Sequence, residues 1–254
     1  MGKLCNLRYL GLNETESLKF IAKCLGKLTN LRTLHRFMVC DDQGKTRRGC
    51  NIRELKDLNK LNGEMSIEGL GGGRVKVIDA KKAQLKVKHE LSGVKFYFGE
   101  QDDDRVDNAS EERGLLEALE PPHGIERLGF CDYKGDGPAW YLDTNYGELQ
   151  MLCLESCPSW LTVIGIKSLE ELKVDYCPTL CELPSMPLLN SLKIFMCDGF
   201  STIGDLPALK SLCMNYCGRL KTLAYMPALE SLDVRDCNSL EQVADDHMPA
   251  IKRT

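Results

Sequence analysis

Cysteine stands at positions 157, 177, 197, 217 and 237, a step of twenty residues held five times. Thiols at a regular spacing can ligate a soft metal, pair as disulfides or act as nucleophiles. Cys153 with Cys157, Cys177 with Cys181, and Cys213 with Cys217 also show the C-x-x-x-C spacing that suggests zinc. The surrounding residues argue against all three chemistries. The ladder's neighbours are Leu, Val and Ile rather than His or Asp, and His35, His89, His123 and His247 are far apart in the chain. A Cys–His pair would need a coincidence of folding. Adjacent acids such as Glu170–Glu171 and Asp245–Asp246 read as solvated pairs. The cysteines are therefore read as small hydrophobes with weak S–H donors. No catalytic, cofactor-binding or metal-ligating residue is assigned, and no enzyme activity.

The same step governs everything around the cysteines. Leucine opens each register at 149, 169, 189, 209 and 229, so residues 149–248 divide into five units of twenty. The first, fourth, sixth, ninth, twelfth and fifteenth places of each unit are apolar or cysteine in all thirty cases. Leu169-x-x-Leu172-x-Val174-x-x-Cys177-x-x-Leu180 is the leucine-rich-repeat pattern with cysteine in its C/N slot. The expected fold is an α/β solenoid, a leucine-rich-repeat horseshoe. Its concave side is a parallel β-sheet with strands at 149–155, 169–175, 189–195, 209–215 and 229–235. Its convex side is irregular, with short helices or 3₁₀ turns, because a 20-residue coil leaves about a dozen residues for the return. Adjacent coils put equivalent thiols roughly 5 Å apart, within disulfide reach, so a reducing compartment rather than distance is expected to keep them single.

Composition sets the outer bounds. Hydrophobic residues make up 43 % and charged residues 28 % of 254, the values of a globular protein. A net charge of −4 opposes a nucleic-acid surface. The basic clusters Lys81, Lys82, Lys86, Lys88 and Arg47–Arg48 read as a solvated helix face and a loop. No apolar run approaches the ~20 residues of a membrane span. Met1-Gly2-Lys3-Leu4-Cys5 has no signal-peptide core, and the expected location is cytoplasmic, where thiols stay reduced.

The chain reads as one domain over 1–254. Residues 1–40 hold two repeats of about 24 residues, since Gly2–Leu10 matches Gly26–Leu34 at seven of nine places. Residues 41–124 are irregular repeats with a polar loop at 41–50 and an acidic, mobile loop at 99–112. Helical spacing is expected at Ile52–Leu61, helix at 79–90, and strands at Met65–Leu70 and Leu91–Phe98. Asn108 and Glu111 would cap a helix carrying Leu115, Leu116 and Leu119, ended by Pro121-Pro122. Residues 125–148 form a long repeat, 149–248 the five regular ones, and 249–254 the start of another. Neither end shows a polar cap, so the chain reads as a piece of a longer protein that would fray and self-associate alone.

Several stretches resemble the repeat region of plant coiled-coil nucleotide-binding leucine-rich-repeat disease-resistance proteins. They are Gly26–Leu34 with Phe37-Met38-Val39, Ile52–Leu55 with Leu61–Gly63, and Ile67–Leu70 with Asp79-Ala80. Leu116–Pro121, Tyr133-x-Gly135 and Pro138-x-Trp140 follow in the family's order. The resemblance implies a recognition module that senses pathogen effectors or restrains a nucleotide-binding domain. That domain is not found here, because Gly69, Gly71, Gly72 and Gly73 lack the lysine and hydroxyl of a phosphate-binding loop. An adaptor or substrate-selecting scaffold with no immune role uses the same sheet and remains the alternative.

Alternation decides which residues meet a partner. The second, third, fifth, seventh and eighth places of each unit point out of the sheet. The seventh column reads Glu155, Asp175, Phe195, Asn215, Arg235, and the eighth Ser156, Tyr176, Met196, Tyr216, Asp236. Tyr176, Phe195, Met196 and Tyr216 thus form an exposed aromatic–sulfur patch over three coils. Lys173, Lys193, Glu171 and Arg235 form its charged rim. An apolar centre with a charged margin is the pattern of a protein-binding face, so the expected partner is an effector, a host protein or a domain of the parent receptor.

Overall fold

In the computed structural model the residues described are 2–12, 15, 17–18, 20–40, 49–99, 109–142, 145–163 and 166–244. They form two compact units, Met1–Tyr146 and Gly147–Thr254.

The first unit is the irregular one. Short strands β1 (Tyr9–Leu10) and β2 (Thr33–Leu34) pair in parallel, and a second parallel set follows. Its members are β3 (Arg36–Met38), β4 (Gly63–Glu68), β5 (Leu91–Tyr97) and β6 (Arg127–Cys131). Between strands the chain returns through 3₁₀ turns at Leu25–Lys27, Ile52–Leu55 and Leu85–Val87, and through helices α1 (Val77–Ala83) and α2 (Ala109–Ala118). Each turn starts on a buried leucine or isoleucine, and Leu28, Leu31, Leu58 and Leu61 continue the apolar line.

Four expectations need correction in this unit. The helix expected over 79–90 stops at Ala83, where Gln84 takes φ +51° and starts a 3₁₀ turn. Lys88 does not belong to a solvated face: it is 1 % exposed, with its Nζ donating to the Leu58 carbonyl and to Asn59 Oδ1, each at 3.3 Å. It falls at the place in its coil that Leu28 and Leu58 fill in the two before it. The loop at 41–50 ends early, since Gly49 bridges Ala22 and buried Cys50 bridges Val39. The acidic loop likewise ends before Ala109, and Glu112 is buried in α2, accepting from the Lys134 amide at 3.1 Å. Residues 41–48 and 100–108, including the Asn108 cap and Arg47–Arg48, lie outside the described residues, as do 249–254.

The second unit is regular. It holds β7 (Met151–Glu155), β8 (Glu171–Asp175), β9 (Ser191–Phe195), β10 (Thr202–Ile203), β11 (Ser211–Asn215), β12 (Thr222–Leu223), β13 (Ser231–Arg235) and β14 (Gln242–Val243). Strands β7, β8, β9, β11 and β13 pair in parallel with every residue opposite the one twenty later. Their fourth and sixth places, such as Leu172 and Val174, face the core. The returns contain no helix among the described residues. They use isolated turns, as from the Leu180 amide to the Cys177 carbonyl and from Leu189 to Met186. Beyond expectation, β10, β12 and β14 form a second small parallel ladder on the return side. A strand five residues long followed by two tight turns and a buried twelfth place leaves no length for a helix. The fold is a leucine-rich-repeat solenoid.

Candidate functional site

The five ladder thiols hold the frame of the open face. Cys157, Cys177, Cys197 and Cys217 are fully buried and Cys237 nearly so. Each Sγ donates to the main-chain carbonyl of the seventh place: Cys197 to Phe195 at 3.2 Å, Cys177 to Asp175 at 3.4 Å and Cys217 to Asn215 at 3.5 Å. Burial pushes the Cys197 thiol up to about 12 and the Cys217 thiol up to about 11, which keeps them protonated donors. Cys177 is drawn down instead, chiefly by its hydrogen bond with Cys157, against burial. Cysteine suits this slot because it fills a small apolar gap and still supplies a donor.

The carbonyl so held precedes a turn, and the turn displays the eighth residue. Ser156, Tyr176, Met196, Tyr216 and Asp236 all have φ between +51° and +56°, as does Asp132 at +57° after β6. This left-handed conformation costs an L-residue with a bulky side chain about 1–2 kcal/mol, and Gly, Asn and Asp occupy it most readily. Backbone geometry therefore explains Asp132 and Asp236 and does not explain two tyrosines and a methionine. Burial does not explain them either: Tyr176 is 55 %, Met196 46 % and Tyr216 51 % exposed. Phe195, at 36 %, sets its ring edge-to-face with Tyr216 at 5.3 Å between centroids. The backbone links the column, since the amides of Tyr176, Met196 and Tyr216 donate to the carbonyls of Phe195, Asn215 and Arg235.

The expected rim residues divide into paired and open charges. Lys173 Nζ lies 2.6 Å from Glu155 Oε1, and that hydrogen bond holds the ammonium above its usual range. Glu155 also accepts from the Cys153 thiol at 3.3 Å, so Cys153 turns to the open face while Cys157 turns to the core. Partial burial raises the Asp175 carboxyl, with Lys173 opposing. Arg235 Nε pairs with Asp233 Oδ1 of its own strand at 2.9 Å. Lys193 and Glu171 are exposed, and neither forms an ion pair among the described residues. Two charges of the rim are thus committed at home and two point to solvent.

The first unit carries a different cluster that sequence reasoning did not assemble. Trp140 Nε1 donates to the Leu116 carbonyl of α2 at 2.9 Å, and Tyr146 Oη to the Pro121 carbonyl at 3.2 Å. The Ala139 amide donates to Glu117, and the Arg113 guanidinium pairs with Asp136 at 3.1 Å. The Leu116–Pro121 and Pro138-x-Trp140 stretches that carried the family resemblance are therefore one packing unit. Their spacing alone, about two dozen residues, was the signal. Among the described residues no three of His, Cys, Asp and Glu group as metal ligands would, and no helix is long and apolar enough to cross a membrane.

Residues 52–174, just under half of the chain, match the family model described as R13L1/DRL21 LRRs. No curated protein sequence matches. Among solved structures the chain is similar to the leucine-rich repeat domain of the type III effector XopL. The two share 15 % identity over 82 % of this chain and 70 % of that one, with a TM-score of 0.41.

Proposed function

We propose that this leucine-rich-repeat chain is the recognition module of a plant-type intracellular immune receptor. On this reading the open face of the second unit binds a protein through Tyr176, Phe195, Met196 and Tyr216, with Lys193 and Glu171 as steering charges. The ligand is a pathogen effector, a host protein or the receptor's own nucleotide-binding domain, which lies outside this chain. The observation that carries the reading is the set of large apolar residues held exposed at left-handed positions, where the fold favours small polar ones. The family match over 52–174 supports the plant origin. Residues of this kind at an interface centre cost about 2 kcal/mol or more when truncated.

The experiment places alanine at all four positions in the receptor that carries this repeat tract. Constitutive signalling supports lost internal docking, and silence towards a trigger otherwise recognised supports a lost ligand site. Wild-type signalling and wild-type trigger response at normal abundance would remove the patch from the recognition role and leave the scaffold reading in its place.

A further inference from the structure

The return stretches of the third to fifth coils of the second unit are joined by a ladder that, among the described residues, does not extend to the second coil. Between the first and second coils the Thr179 hydroxyl bonds the carbonyls of Pro158 at 2.7 Å and Trp160 at 3.1 Å. Between the third and fourth, Thr202 and Ile203 pair with Thr222 and Leu223, and the Gly218 amide reaches Asp198 at 2.7 Å. Between the fourth and fifth, Thr222 and Leu223 pair with Gln242 and Val243. Among the described residues nothing equivalent joins residues 181–183 of the second coil to 201–204 of the third. A cavity of about 350 Å³ opens there instead.

The second coil also departs from the later ones at the sixteenth position. Later coils place Gly204, Ala224 and Ala244 at the sixteenth position, and the last two donate rungs to Ile203 at 2.7 Å and Leu223 at 3.0 Å. The second coil has Pro184 there. Proline has no N–H, so Pro184 cannot donate the corresponding rung back to the first coil, and it restricts Leu183 before it; the third coil keeps the Gly204 amide that would donate to the second.

The consequence is an open strand edge. In a parallel ladder alternate residues address alternate neighbours. The Ser201 and Ile203 carbonyls are taken by the fourth coil. The Thr202 amide and carbonyl and the Gly204 amide therefore lie on the other edge, along the cavity, and no described residue bonds them. Such an edge accepts another extended chain. The charge of the wall selects which kind. Exposed Glu182 lines the cavity, Asp205 follows Gly204, and no Lys or Arg is among the lining residues.

We propose that the groove between 181–183 and 201–204 binds an extended, basic peptide segment of a partner protein, added as a strand to β10. This site is separate from the aromatic face and does not depend on it.

The test selects short linear peptides displayed on phage against the whole chain and follows amide exchange residue by residue. In the unliganded chain the Thr202 and Gly204 amides should exchange much faster than Ile203 and Ala224, and a selected peptide should slow those two. Thr202→Pro removes the groove donor without touching the rungs to the fourth coil. It should weaken the peptide about ten-fold or more, the value of a lost main-chain hydrogen bond, at an unchanged melting temperature. Glu182→Lys should disfavour basic peptides, while alanine at Tyr176, Phe195, Met196 and Tyr216 should leave binding intact. The proposal is overturned if those amides are already protected in the free chain, if no basic peptide is selected, or if Thr202→Pro binds as the parent does. Loss of the peptide in the four-alanine variant would also overturn it, because it would move the peptide to the open face.

Discussion

Single residues in this chain are informative where their chemistry contradicts their surroundings. Tyr216 occupies a left-handed position, exposed, where asparagine would be less strained. Tyr216→Asn should therefore hold or raise unfolding stability, by up to about 1 kcal/mol, as read by urea denaturation. Lys88 is the opposite case, a charge in the place of a leucine. Burial pushes its ammonium down to about 8, with Asp57 opposing weakly. The unfolded chain, with an ordinary lysine near 10.4, binds the proton more tightly than the folded chain. The penalty is therefore full below pH ~8 and is relieved as pH rises towards ~10.4. Lys88→Leu should stabilise the protein by a few kcal/mol at neutral pH, and the gain should shrink across that window. Denaturation of both proteins at several pH values checks it, and a gain that does not change with pH would contradict it. Cys197→Ala should cost about 1 kcal/mol or slightly more through the lost thiol packing and its bond to the Phe195 carbonyl.

Elements show where periodicity speaks and where it is silent. The twenty-residue step placed β7, β8, β9, β11 and β13 within two residues of their observed starts, because the side chains that must be buried alternate on a strand. It did not reveal β10, β12 and β14. Two-residue strands carry no pattern of their own and exist through main-chain rungs to the next coil. The helix over 79–90 was overextended for a related reason: Ala, Lys and Leu favour helix, but the coil needed Leu85 and Leu91 buried three residues on either side of Lys88, a 3₁₀ spacing. The α2 cluster was visible only as separate motifs, since a spacing of about two dozen residues does not by itself say that the Trp140 indole reaches the Leu116 carbonyl. Trp140→Ala should destabilise by about 3–5 kcal/mol as a large buried truncation, and should release α2 amides to exchange. If α2 stays protected, the indole bond does not fix it.

For the molecule as a whole, the leucine-rich-repeat architecture was legible from spacing, and the patch residues were legible from alternation once the register was known. What the sequence did not carry is the conformation of the eighth position, because a left-handed turn among cysteine, tyrosine and methionine has no glycine to announce it. That conformation is what distinguishes the proposed binding face from an ordinary exposed one. It also removes the usual ambiguity of surface substitutions, since a residue better suited to the turn can be installed without loss of stability. For the receptor role proposed above, the most direct measurement is the signalling output of the parent protein carrying Tyr176→Asn with Tyr216→Asn, taken at matched protein abundance beside the unfolding stability of the same variant. The account predicts altered signalling, either constitutive or unresponsive, in a protein at least as stable as the parent. Wild-type signalling from that stable variant would contradict it.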